Sequence, residues 1–146
     1  MKAIIAYVST HHGNTEKVVN EIKKECGVEA FNVLEEPDRD LSDYDLIGLA
    51  SGIYAAKFHP QMIAYAKEHL PQNKKIFYIM TSALDKDFSK SMAEAIDGKN
   101  AEVVGTFSCK GYNTFGPFKL VGGTGKGHPD ATDLANAVEF YRSIAK

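Results

Sequence analysis

The sequence predicts an α/β fold, a doubly wound parallel sheet of five strands with helices on both faces. Three observations carry that reading. Short runs of branched apolar residues alternate along the chain with stretches of helical spacing, without internal repeats. Most of these runs are continuously apolar, as parallel strands buried on both faces require. The first of them passes straight into a helix through a turn made of Ser, Thr, His, Gly and Asn. Right-handed crossovers then leave few topologies.

Taken in order, Ala3-Ile4-Ile5-Ala6-Tyr7-Val8 lies at the centre of a first strand over residues 2–8. Val18, Val19, Ile22 and Cys26 recur at helical spacing and place a helix over residues 14–26. Residues 28–33 alternate apolar and polar, which suits a short edge strand. Residues 38–44 form a polar connector with room for one helical turn. Leu46-Ile47-Gly48-Leu49-Ala50 is the third strand. His59-Pro60 opens the next helix, since proline suits the first helical position, and Pro71 ends it. The fourth strand, over residues 75–81, centres on Ile76-Phe77-Tyr78-Ile79-Met80. A helix follows over residues 88–97, with Phe88, Met92, Ala95 and Ile96 on one face and Gly98 as its stop. Residues 102–109 make the fifth strand. The last helix begins near Asp130, where Asp130 and Asp133 stand in capping and first-turn positions, and runs to about Ile144.

A chain of 146 residues is most simply one domain, residues 1–146. That length buries about 68–70% of the surface its unfolded form exposes, enough for a core without staples. Apolar content of 44% and charged content of 25% are those of a globular protein. Two distant cysteines, Cys26 and Cys109, suggest a reducing compartment, and no apolar run has the length of a membrane span. The expected location is the cytoplasm, with no membrane partner. A net charge of −2 and the lack of a long basic run argue against nucleic acid.

The turn Ser9-Thr10-His11-His12-Gly13-Asn14-Thr15 is the chemically richest stretch. Gly13 frees the backbone to approach a ligand, and three hydroxyls add donors without adding charge. Unpaired N–H groups at a helix start converge on an anion. With no lysine or arginine in the turn, a single phosphomonoester suits it better than a nucleoside triphosphate. From the residues alone, an ordinary strand-to-helix turn whose Ser and Thr cap the helix remains equally open.

Ser-Thr-x-x-Gly-Asn-Thr directly after the first strand resembles the FMN-phosphate loop of the flavodoxin family, and the resemblance extends over the size and element order of the whole chain. It implies FMN as cofactor, the strand order 2-1-3-4-5, and a site at the carboxyl ends of strands one and three, where the winding reverses. It further implies that the loops after strands three and four hold the ring. The first of these contains Ser51, Gly52, Ile53 and Tyr54. Tyr54 either stacks on the isoalloxazine or packs on its own helix. The second contains Thr81, Ser82 and Ala83, whose N–H groups face the ring edge, but it lacks the aromatic many flavodoxins place there. Residues 110–129 are a long segment holding Tyr112, Phe115 and Phe118 with several basic residues and no acid before Asp130. Tyr112 or Phe115 is expected either to cover the open face of the flavin or to fill space beside the last helix.

Two other motifs lead nowhere. Gly122-Gly123-Thr124-Gly125-Lys126-Gly127 has Leu120 and Gly127 where a phosphate-binding P-loop needs Gly and Ser or Thr. His11-His12 lacks a third metal ligand, and no metal site is expected. No motif for nucleophilic or paired-carboxylate catalysis is present, so no catalytic residue is assigned. The resemblance therefore implies a flavodoxin-like electron carrier that is monomeric and serves protein redox partners. The alternative is an FMN-dependent reductase of NAD(P)H and quinone type. Lys57, Lys110 and Lys119, with His11 and His12, are expected to make the flavin's lower potential less negative than in acidic flavodoxins.

Overall fold

A computed structural model describes residues 2–10, 13–84, 86–111 and 127–145. All five expected strands are present among them: β1 Ala3–Val8, β2 Glu29–Asn32, β3 Leu46–Tyr54, β5 Lys75–Ser82 and β6 Glu102–Lys110. A short additional strand, β4 Lys57–Phe58, was not legible from the apolar pattern. The order is β2-β1-β3-β5-β6, every pair parallel, which is the expected 2-1-3-4-5 once β4 is set aside. β4 turns back antiparallel on the end of β3, pairing Ile53 with Phe58 and Tyr54 with Lys57. This hairpin extends β3 beyond Ala50.

Alternation along the buried strands assigns side chains to two cores. Ile4, Ala6, Ile47, Leu49, Ile76 and Met80 face Met62, Tyr65 and Ala66 of α2 Pro60–His69. Ile5, Leu46, Ala50, Phe77 and Ile79 face Val18, Val19 and Ile22 of α1 Asn14–Cys26, and Ala137, Val138 and Tyr141 of α4 Ala131–Ile144. Gly48 lies beside Phe77 in the β3–β5 register, and a Cβ there would sit 2.4 Å from the Phe77 ring. The glycine is the space the ring fills.

The helix ends follow their chemistry. The His59 side chain caps α2, accepting through Nδ1 from the Gln61 N–H at 3.0 Å, with Pro60 in the first turn. Asp130 accepts from the Asp133 N–H and Asp133 accepts from the Asp130 N–H, both at 2.9 Å, a reciprocal capping box on α4. His128 Nδ1 lies 2.6 Å from the same Asp133 carboxylate.

The expected helix over residues 88–97 is a correction. It is a 3₁₀ turn, Ser89–Met92, followed by one α-turn, α3 Ala93–Ile96. The reason lies at Ser91, whose Oγ donates to the Phe88 carbonyl at 2.9 Å and accepts from the distant Phe58 N–H at 3.0 Å. A hydroxyl engaged with backbone outside the helical ladder favours the tighter turn. The helical turn allowed for residues 38–44 is also absent, replaced by a turn in which the Asp40 carboxylate accepts from Ser42. No helix among the described residues is long and apolar enough to cross a membrane.

Candidate functional site

The turns at the carboxyl ends of β1, β3 and β5 enclose a cavity of about 290 Å³. On its β1 side, Gly13 stands at the N-cap of α1 with φ 66° and ψ 24°, a left-handed conformation that glycine adopts without strain. Ser9 Oγ accepts from the Glu16 N–H at 3.0 Å and so satisfies one of the donors the helix start leaves without an internal partner. Asn14 and Thr15 are buried at 7% and 1% exposure. Ser9, Thr10, Asn14 and Thr15 all line the cavity, whereas Gly13 shapes the turn from outside that lining.

The β3 side presents Gly52, Ile53 and Tyr54. The Tyr54 ring folds over Gly52, where a Cβ would meet the tyrosine hydroxyl at 3.2 Å. That hydroxyl is 2.6 Å from Thr10 Oγ1, which ties the β3 wall to the β1 turn. The Tyr54 ring also meets His59 in a T-shaped contact, with ring centroids 5.1 Å apart and planes at 88°. Tyr54 thus contacts both the cavity and the start of α2. Burial holds the His59 imidazole below its usual pKa, in keeping with a neutral ring whose Nδ1 accepts the cap hydrogen bond. Ser51 differs from its neighbours, being fully buried and outside the lining. Its hydroxyl donates to the Gly52 carbonyl at 2.6 Å and accepts from the His59 N–H at 3.0 Å, so it sets the Gly52 backbone rather than facing a ligand.

On the β5 side stand Thr81, Ser82 and Ala83. Thr81 Oγ1 lies 2.8 Å from Thr15 Oγ1, a buried bond joining the third wall to the first. The Ser82 carbonyl accepts from the Gly111 N–H at 3.0 Å and brings the end of β6 to the cavity. At Gly111 a Cβ would lie 2.6 Å from Asn14 Nδ2 and 2.7 Å from its Cγ, so only glycine lets the asparagine settle there.

Five lining residues were not singled out from the sequence: Ala55, Ala56, Leu84, Phe88 and Gly111. Ala55 and Ala56, at φ 52° and 64°, form the tight turn of the β3–β4 hairpin. Nothing in an Ala-Ala pair signals such a turn. Phe88 was placed on a helix face, but the later helix start leaves it in the loop, where it supplies an aromatic wall that the Thr81–Ala83 stretch lacks. A glycine directly after the fifth strand was the available signal for Gly111. His11, His12, Tyr112, Phe115, Phe118 and Lys119 lie outside the described residues. Lys57 and Lys110 are exposed beside the cavity residues Ala56 and Gly111.

A hydroxyl-bearing helix start beside a cavity, at the point where a parallel sheet reverses its winding, defines a doubly wound α/β protein with a cavity at its topological switch point. A family model described as a flavodoxin domain matches residues 4–113. The chain belongs to the flavodoxin family. It is 40% identical to an uncharacterized protein of Methanocaldococcus jannaschii over 149 aligned positions, covering 100% of this chain and 99% of that one. Oxidised flavodoxin 1 of Bacillus cereus superimposes with a TM-score of 0.69 at 15% identity, covering 99% of this chain and 97% of its own. The rubredoxin:oxygen oxidoreductase of Desulfovibrio gigas superimposes with a TM-score of 0.67 at 18% identity. There the match covers 99% of this chain but 35% of the larger enzyme.

Proposed function

We propose that this protein is an FMN-binding electron carrier whose cavity seats the cofactor between the β1 turn and the β3 and β5 walls. The observation that carries the reading is the lining itself. Three walls converge at the strand ends around a glycine-opened helix start, and among the described lining residues none is Asp, Glu, Lys, Arg, His or Cys. The residues fit the group: Gly13 opens the turn, and Gly111 leaves room for Asn14 beside it. Ser9, Thr10, Asn14 and Thr15 would hold the phosphate through neutral donors. Tyr54 would flank the ring, and the backbone of Thr81, Ser82 and Ala83 would meet its polar edge.

When bound, FMN supplies one- and two-electron chemistry, and the protein contributes binding, orientation and field. The described lining residues, none of them an acid or a base, suit a carrier that exchanges electrons with protein partners better than an enzyme that must move protons on a small substrate. The exposed Lys57 and Lys110 favour a reduced, anionic cofactor, and water screens most of their effect.

The deciding experiment is the visible spectrum of the purified protein after adding FMN and gel filtration. Flavin bands that elute with the protein, with quenched fluorescence, are expected. No retained flavin at micromolar protein would refute the reading. Steady NADH or NADPH oxidation by the loaded protein would replace the carrier with a reductase.

A further inference from the structure

We propose that Thr81 is a positioning residue for the cofactor phosphate, acting through Thr15, and that this buried hydroxyl pair helps separate FMN from riboflavin. The inference rests on the FMN reading above. Thr15 lies in the first turn of α1 and Thr81 near the end of β5, at 1% and 3% exposure, and both line the cavity. Their Oγ1 atoms are 2.8 Å apart. Among the described residues neither hydroxyl has a second hydrogen-bond partner.

Two hydroxyls carry two protons, and one oxygen–oxygen contact uses only one of them. If Thr15 donates to Thr81, the spare proton belongs to Thr81. If Thr81 donates to Thr15, the spare proton belongs to Thr15, at a helix start whose N–H groups favour an anion. A phosphate there selects the second arrangement, because it accepts from Thr15 and leaves that oxygen's lone pairs to Thr81. Linked hydrogen bonds polarise one another, so Thr81 strengthens a donor to the phosphate without touching it. Riboflavin has the same ring and no phosphate, and it selects neither arrangement. Among the described lining residues, none of them lysine or arginine, such neutral donors are what distinguishes the two flavins.

The test is a double-mutant cycle read as the ratio of FMN to riboflavin affinity, by fluorescence quenching on the full chain. Thr81→Val is expected to lower the ratio about fivefold, the worth of one neutral hydrogen bond, and Thr15→Val by about tenfold or more. The double variant should fall no further than Thr15→Val alone, since Thr81 acts through Thr15. Thr81→Ser should restore the wild-type ratio. Should Thr81→Val fail to fold, Thr81→Ala gives the same reading. Multiplying effects in the double variant would overturn the proposal. So would equal weakening of both flavins by Thr81→Val, or an unchanged ratio. A wild-type protein that binds neither flavin would overturn the FMN reading itself, and this inference with it.

Discussion

Gly111 and His59 show how much of this site depends on single atoms. A Cβ at Gly111 would meet Asn14 at Nδ2, Cγ and Cβ within 3.0 Å, so the whole asparagine must move and not merely its tip. Gly111→Ala is therefore expected to weaken FMN binding by about tenfold while the chain still folds, one displaced charge-assisted hydrogen bond being worth roughly 1.5–3 kcal/mol. An FMN titration of the variant checks it. His59 sets a pH dependence. Its folded pKa lies below the usual 6.5, so the unfolded chain binds the proton more readily. The stabilisation is present above pH 6.5 and is lost as pH falls toward the folded value. Stability measured by urea denaturation should rise with pH through that window. The slope should flatten in His59→Gln, which has no imidazole to titrate.

At the scale of elements, the β3–β4 hairpin was not legible in the apolar pattern and is strained at its turn. Two consecutive alanines occupy positive φ in a turn whose usual residues are Asn and Gly. Left-handed backbone costs roughly 1–2 kcal/mol per non-glycine residue. Replacing Ala55-Ala56 with Asn-Gly should stabilise the protein by about 1–2 kcal/mol, read as a higher urea midpoint at unchanged m-value. An unchanged midpoint would mean that the turn stores no strain. The α4 capping box is the converse case, legible in sequence because Asp130 and Asp133 have the spacing it needs. Burial pushes the Asp133 carboxyl up, but its hydrogen bonds from His128 and the Asp130 backbone outweigh that and hold it below the usual carboxylate range. Its contribution is therefore present at neutral pH and lost as pH falls through that lowered value. Asp130→Ala should cost about 1 kcal/mol of stability.

For the whole molecule, hydroxyl contacts tie together the walls that three strands bring to the cavity. Thr10–Tyr54 joins β1 to β3, and Thr15–Thr81 joins α1 to β5. A ligand spanning the walls should then stabilise the fold by mass action. FMN at 100 times its Kd is expected to contribute about 2.7 kcal/mol, a rise in Tm of roughly 5–10 °C for a chain of this size. Calorimetry with and without FMN measures it, and riboflavin at the same concentration should give less.

The sequence by itself determined the sheet, its layers and the position of the cavity. The strands, helices and layers follow from local periodicity and from the helix starts at Pro60 and Asp130, whereas the strand order and the position of the cavity came with the resemblance of the Ser9–Thr15 turn to a flavodoxin phosphate loop. It also marked Ser9, Thr10, Asn14, Thr15, Gly52, Ile53, Tyr54, Thr81, Ser82 and Ala83, all of which line the cavity. Tertiary structure alone decided that Ser51 turns away, that Phe88 and Gly111 come in, and that an Ala-Ala turn folds β4 back onto β3. The physical reason is range. A periodic pattern or a cap is set by residues within a few positions of one another. Whether Thr81 meets Thr15, 66 residues away, depends on the register of strands that the local sequence does not encode.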